Sequence, residues 1–219
     1  PKQAVVKIDK DIPLDIASLI GCGVMTGAGA VLNTAKVTPG SSVIVYGAGG
    51  VGVAALQGAR IAGAAEIVAV DLNDAKLDDA RRFGATHAVK PEDVDGVKLE
   101  ITGGDGFDFA IECIGNPNTM RASFDAVRRG GTACIVGVGR PEEMVQFSAF
   151  ELFFSEKNLV GSYYGGTDVR SDFHKLLRLY KQGKLDLEGM ITRRIKIDEI
   201  NPALEAVRKG EVIRQVIEF

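Results

Sequence analysis

The sequence predicts an α/β fold: a doubly wound sheet of six parallel strands. Three observations carry this. Short β-branched runs recur along the middle of the chain, helical patterns fill most gaps between them, and the strands are apolar enough to be covered on both faces. Glycine is also over-used, at 27 of 219 residues against roughly 7% in average proteins. With seven prolines and no periodic glycine spacing, those glycines serve turns and close contacts rather than a linker or collagen-like repeat.

The elements follow in order. Residues 1–13 look extended as far as Pro13. Two short helices are expected at Asp15–Leu19 and Val24–Leu32, divided by Gly21-Cys22-Gly23, and Pro39-Gly40 marks a turn. Strands are predicted at Ser42–Tyr46, Glu66–Val70, Thr86–Val89, Phe107–Glu112, Thr132–Val136 and Leu159–Tyr164. Helices are predicted at Val51–Ala62, Asp74–Phe83, Thr119–Arg128 and Ser148–Glu156, with a loosely amphipathic short helix in Pro91–Thr102. After Gly165-Gly166 the pattern changes. Ser171 followed by Asp172 caps a helix through Gln182, Asn201-Pro202 opens another to Lys209, and Val212–Glu218 ends the chain as a strand.

Composition excludes several classes. The formal net charge of −3 leaves no electrostatic footprint for nucleic acid. Apolar stretches such as Val43–Tyr46 are far shorter than a membrane span, so no membrane partner is expected. The start, Pro1-Lys2-Gln3-Ala4, has neither the layout of a signal peptide nor an initiating Met, as expected of a fragment or processed chain. Three widely spaced cysteines (Cys22, Cys113, Cys134) and two histidines (His87, His174) make neither a disulfide framework nor a His-rich metal site. They fit a reducing, cytoplasmic compartment.

The strongest local signal is Val43-Ile44-Val45-Tyr46-Gly47-Ala48-Gly49-Gly50-Val51-Gly52. Gly47, Gly49 and Gly52 form G-x-G-x-x-G between a predicted strand and a predicted helix, the context that a dinucleotide-binding (Rossmann) fingerprint requires. Their mechanical tasks are the tight turn, the close approach of a pyrophosphate, and close helix–sheet packing. The helix N-terminus supplies unpaired N–H groups for the phosphates. Asp71 closes the next strand nineteen positions after Gly52, where a carboxylate accepts from the adenosine ribose hydroxyls and repels a 2′-phosphate. No Arg follows in Leu72-Asn73-Asp74-Ala75, so NAD is favoured over NADP. A methyltransferase, which uses a similar loop, wants a carboxylate just before the glycines, where Ile44-Val45-Tyr46 stand.

A set of motifs resembles the zinc-dependent alcohol dehydrogenases of the medium-chain dehydrogenase family. They are Gly21-Cys22-Gly23-Val24-Met25-Thr26-Gly27, Ala35–Ser41, the glycine loop, Val70–Lys76, Phe83–Thr86, Glu112-Cys113-Ile114-Gly115, Val136-Gly137-Val138, Gly161–Gly166 and Gly210–Arg214. The resemblance runs in order from Pro13 to Phe219. It implies that Cys22 is a thiolate ligand of a catalytic zinc, that Thr26 and Val51 pack on the nicotinamide, and that Lys76 contacts the ribose beside Asp71. It also implies that Gly50 belongs to the phosphate loop, that Ile114 and Gly115 line the crevice, and that the backbones of Val136, Ser162 and Tyr164 orient the carboxamide. Arg214 is implied to reach the pyrophosphate. Cys113 and Cys134 read as core residues, His87, His174 and the pair Arg193-Arg194 as solvated ones.

Family members carry the remaining zinc ligands and proton-relay groups in a catalytic domain ahead of this point. The expected organisation is therefore the tail of that domain over 1–23, an NAD-binding domain over 24–164, and a return segment over 165–219. No catalytic residue is assigned within the chain. For the complete enzyme the resemblance implies hydride transfer between an alcohol or aldehyde substrate and NAD, with zinc as Lewis acid. For this chain alone it implies NAD binding without turnover. A homodimer or homotetramer paired across the Leu159–Tyr164 strand is implied as well. Two other readings stay open: a standalone NAD-binding sensor or scaffold, and a zinc-free reductase of the quinone-oxidoreductase branch. Cys22 and Asp71 argue against the second.

Overall fold

The computed structural model describes residues 5–219. Of the extension expected over 1–13, residues 1–4 lie outside the described residues, and 5–13 form no strand. Six strands make one sheet: β1 (Ser42–Tyr46), β2 (Glu66–Val70), β3 (His87–Val89), β4 (Phe107–Glu112), β5 (Val127–Ile135) and β6 (Asn158–Gly161). Their order is β3-β2-β1-β4-β5-β6 and every pairing is parallel, the doubly wound arrangement that the alternating pattern predicts. The order reverses between β1 and β4, so the crevice beyond their carboxyl ends is the expected ligand position.

The helix Gly50–Ala62 follows β1 and is buried along much of its length, because Ala54, Ala55, Gly58 and Ala59 let it press on its neighbours. Pro117 opens the helix Pro117–Ala126 behind an Asn116 cap that accepts the Asn118 N–H at 2.8 Å. The expected Thr119–Arg128 helix therefore starts earlier and also stops earlier, since Val127 already pairs with Phe107 in the sheet. A register shift follows before Phe109 pairs with Thr132, which makes β5 longer than the expected Thr132–Val136. Ser148 and Glu151 form a reciprocal capping box on Ala149–Ser155.

Three further expectations are corrected. Residues Leu14–Ala35 form one continuous helix rather than two, with π-helical turns at Ile20–Val24 and Ala30–Ala35 absorbing the Gly-Cys-Gly segment. As one helix it reaches the length and apolarity of a membrane span, with 67% of its most apolar window buried inside the fold. The final strand of the sheet ends at Gly161 instead of Tyr164, because Tyr164 has φ 52° and opens a short 3-10 turn. Asp168 replaces Ser171 as the cap of the helix Val169–Lys181. Arg193 and Arg194 are exposed, as expected, and lie in a strand, β7 (Ile191–Ile195), which pairs in parallel with β8 (Arg214–Ile217). The late helix spans Ile200–Arg208 with Pro202 inside its first turn, where a missing N–H is tolerated.

The core has three parts. One lies between the sheet and the Leu14–Ala35 and Gly50–Ala62 helices, and another on the opposite face around Phe107 and Phe124. The third joins Ile16, Ile20 and Val24 of the first helix to Val53, Leu185, Leu187, Met190 and Val216.

Candidate functional site: the crevice at the carboxyl ends of the strands

Gly47 ends β1 with φ +92°, a conformation that disfavours any side chain, and its N–H donates to the Val70 carbonyl at 2.8 Å. Gly49 caps the Gly50–Ala62 helix, and a Cβ there would meet nothing within 4 Å. That open face above unpaired N–H groups at a helix start is where an anion fits. Gly52 is different: a Cβ there would collide with the Gly47 carbonyl oxygen. So one glycine leaves room outside the loop and another closes it from behind.

Asp71 follows β2 and folds back onto this loop. Its Oδ2 accepts the Ala48 N–H at 2.9 Å and its Oδ1 accepts the Asn73 N–H at 3.0 Å. Asn73 in turn caps the helix Asp74–Arg82, whose first turn carries Lys76. Asp71, Lys76 and Ile114 line a cavity of about 700 Å³ together with Leu72, Asn116 and Thr119. Leu72 and Ile114 are both exposed, which gives the mouth two apolar walls beside a carboxylate.

Glu112, at the end of β4, organises the far wall and was not picked out from the sequence. It is fully buried, and its Oε1 accepts from the Ile114 N–H (3.0 Å), the Gly115 N–H (2.9 Å) and the Thr119 hydroxyl (2.6 Å). Its Oε2 is buried with no hydrogen-bond partner among the described residues. A charged residue closing an apolar strand, just before Cys113-Ile114-Gly115, was the available signal. Gly115, with φ +88°, packs against the backbone of Val138, so the loops after β4 and β5 meet. Val136 donates its N–H to the Glu112 carbonyl at 2.9 Å.

The remaining predicted residues lie outside that cavity, along the same end of the sheet. Ser162 donates its N–H to the Ile135 carbonyl at 2.8 Å, and its hydroxyl lies 2.9 Å from that of Thr34. The Tyr164 hydroxyl donates to the Gly21 carbonyl at 2.6 Å. Burial, and then the neighbouring Cys22, raise the Tyr164 phenol above its ordinary range. Thr26 and Val51 are half-buried, the first on the Leu14–Ala35 helix and the second on the first turn after the loop. The Arg214 guanidinium lies over Gly50 and Gly23, filling the space that a Cβ on either would need. A cation from β8 thus covers the glycine loop.

Cys22 is exposed in the first π-helical turn. Among the described residues no three His, Cys, Asp or Glu side chains cluster to hold a metal ion. A tetrahedral zinc site needs four ligands, and the described residues around Cys22 do not provide such a set. The other two thiols differ in setting. Cys134 is buried and its thiol is pushed up to about 12, while burial, with Glu112 and Cys134 nearby, raises Cys113.

Fold and crevice together define a doubly wound α/β domain of the dinucleotide-binding (Rossmann) class. Comparison with known proteins narrows this. Residues 50–182 match the family model described as zinc-binding dehydrogenase. Alcohol dehydrogenase 2 of Zea mays is 41% identical over 219 residues, covering 97% of this chain and 57% of that protein. The crystal structure of benzyl alcohol dehydrogenase from Acinetobacter calcoaceticus superposes with a TM-score of 0.93 at 36% identity, over 98% of this chain and 59% of that one. A zinc-binding dehydrogenase from Sinorhizobium meliloti, solved with NADP bound, gives 0.74 at 29% identity, over 84% of this chain and 54% of that one. The chain belongs to the zinc-binding dehydrogenase family and corresponds to the coenzyme-binding part of its alcohol dehydrogenases. It spans somewhat less than three fifths of the lengths of these relatives.

Proposed function

We propose that this chain is the NAD-binding portion of an alcohol dehydrogenase that transfers hydride between a primary or secondary alcohol and NAD. The observation that carries the reading is Asp71, held by two backbone N–H groups between the glycine loop and the cavity. There it accepts from the ribose hydroxyls and opposes a 2′-phosphate. Leu72 and Ile114 sandwich the adenine, and Lys76 adds a donor at the ribose. The helix N-terminus at Gly50 and the Arg214 guanidinium hold the pyrophosphate. Thr26 and Val51 back the nicotinamide ring, and the backbones of Val136, Ser162 and Tyr164 fix its carboxamide. The bound nicotinamide supplies the hydride acceptor, and the chain's own residues supply position.

By itself the 219-residue chain binds NAD and does not turn over, because Cys22 is one ligand where catalytic zinc needs several. Residues 24–164 form the NAD-binding domain, and 1–23 with 165–219 belong to the catalytic domain. Two copies pair across the edge strand β6, which is flanked by exposed Phe150, Phe153 and Tyr163. Three unpaired thiols support a reducing, cytoplasmic setting.

Calorimetric titration of the purified chain with NAD and NADP tests the reading. Saturable NAD binding, tighter than NADP, with no absorbance growth at 340 nm in alcohol and zinc, is the expected result. Absence of NAD binding overturns the cofactor reading, and measurable alcohol oxidation overturns the inactivity. Intact mass of the natural protein separates the enzyme from a standalone sensor: a product longer by a domain supports the first, and a product of 219 residues the second.

A further inference from the structure

Gln57 is a fully buried polar side chain on the Gly50–Ala62 helix. Both ends of its amide are used on one residue: Nε2 donates to the Asp186 carbonyl at 3.1 Å, and the Asp186 N–H donates to Oε1 at 2.7 Å. The side chain thus pairs with a loop backbone as a neighbouring strand would. The Asp186 carboxylate then accepts the Gly189 N–H at 2.8 Å, tightening the turn that leads into β7. The first residue of β7, Ile191, is paired with Arg214. Arg214 returns to the same helix that Gln57 left, over Gly50. Gly50 and Gln57 are seven residues apart, about 10 Å along the axis. The segment between Asp186 and Arg214 is therefore fastened to one helix at two points, one inside the core and one at the glycine loop.

We propose that Gln57 is a positioning residue for the anion site, setting the height of Arg214 above the helix N-terminus through Asp186 and β7. The proposal rests on the NAD-binding reading for its ligand but not for its geometry. Gln57→Met fills the same volume and leaves the Asp186 N–H and carbonyl without their partner, so the turn into β7 shifts and carries Arg214 with it.

The test uses the full 219-residue chain in four forms: wild type, Gln57→Met, Arg214→Met and the double variant. NAD dissociation constants are expected to rise about three- to tenfold in each single variant, with the double variant no worse than Arg214→Met alone, because coupled residues are non-additive. Adenosine, which lacks phosphates, is expected to bind all four alike. In the unliganded protein the Arg214 Nε–Hε resonance is expected to shift on Gln57→Met. A lowered melting temperature with an unmoved Arg214 resonance would assign Gln57 a merely structural role and overturn the proposal. Additive losses in the double variant would overturn it too. If wild type fails to bind NAD, the cofactor reading falls, while the Arg214 resonance still decides this one.

Discussion

The Asp71 carboxylate accepts the Ala48 backbone N–H at 2.9 Å, which ties the acidic end of β2 to the middle of the glycine loop. In the proposed NAD site, the residue that selects the ribose would thus also shape the turn that receives the phosphates. Asp71→Asn keeps the size of the side chain and removes its charge. A unit charge 4 Å from another costs about 1 kcal/mol in water, and a 2′-phosphate carries nearly two. The preference for NAD over NADP is therefore expected to fall about tenfold or more, as read by titration with both cofactors.

Gly49 and Gly52 are expected to respond to alanine in opposite ways. Gly52→Ala drives a methyl group into the Gly47 carbonyl oxygen, an overpacking that costs about 1–3 kcal/mol. It should lower the melting temperature as well as cofactor affinity. Gly49→Ala meets nothing within 4 Å in the unliganded chain. It should leave the melting temperature unchanged and weaken only NAD binding, since the methyl projects where the phosphates approach. Calorimetry and thermal melts on the pair check this.

Thiol labelling should separate the three cysteines. Cys22 is exposed, Cys134 has its thiol pushed up to about 12 by burial, and Cys113 is raised as well. A thiolate-specific reagent at pH 8 is expected to modify one group per native chain quickly and three after unfolding. Cys22→Ala should abolish the fast event.

Asp108 should give the acid limb of the stability curve. Burial acts to raise its carboxyl, but hydrogen bonds from the Ser42 N–H, the Arg128 guanidinium and the Ser42 hydroxyl together hold it below the ordinary range. A carboxyl lowered in the folded state stabilises fully above the unfolded value of about 3.9 and loses that contribution as pH falls through the folded value. Urea melts are expected to show stability declining below about pH 4, with a flatter decline in Asp108→Asn. The residue sits at the amino end of β4, away from the crevice. NAD affinity at pH 7 should not change.

Much of the sheet was legible because its signals are local. Ser42–Tyr46, Glu66–Val70 and Phe107–Glu112 are bounded by turns and fall where the β-branched runs predict. The glycine loop and Asp71 were legible for the same reason, since one turn and one strand fix their spacing. What escaped depends on packing partners far along the chain. Gly21-Cys22-Gly23 reads as a helix break until helix–helix contact is considered: a Cβ on Gly27 would sit 2.9 Å from the Ala54 Cβ, and one on Gly58 3.0 Å from the Ala28 Cα. Tertiary contact there outweighs propensity. Arg193-Arg194 reads as a solvated face, and the two residues are exposed, yet pairing with β8 makes them a strand. Glu112 and Gln57 escaped because a polar residue in an apolar run gives no hint of which backbone groups it will satisfy.

The two π-helical turns of Leu14–Ala35 give this helix a fixed count. Each π turn holds one residue more than an α turn would. Deleting one residue from Ile20–Val24 would let that stretch relax into regular α-helix without losing a hydrogen-bonded turn. The parts on either side would keep their facing, because the turn lost was the one that held the extra residue, whereas deleting a residue from the regular stretch Met25–Gly29 would swivel the part before it by about 100°, the angle of one α-helical residue. In that second case Ile16 and Leu19, now buried, would swing away from the Leu185–Met190 segment, and residues around Asp15 would turn inward. Loss of one codon is thus absorbed inside a π turn and acts like a turn of a screw in the regular stretch between the two.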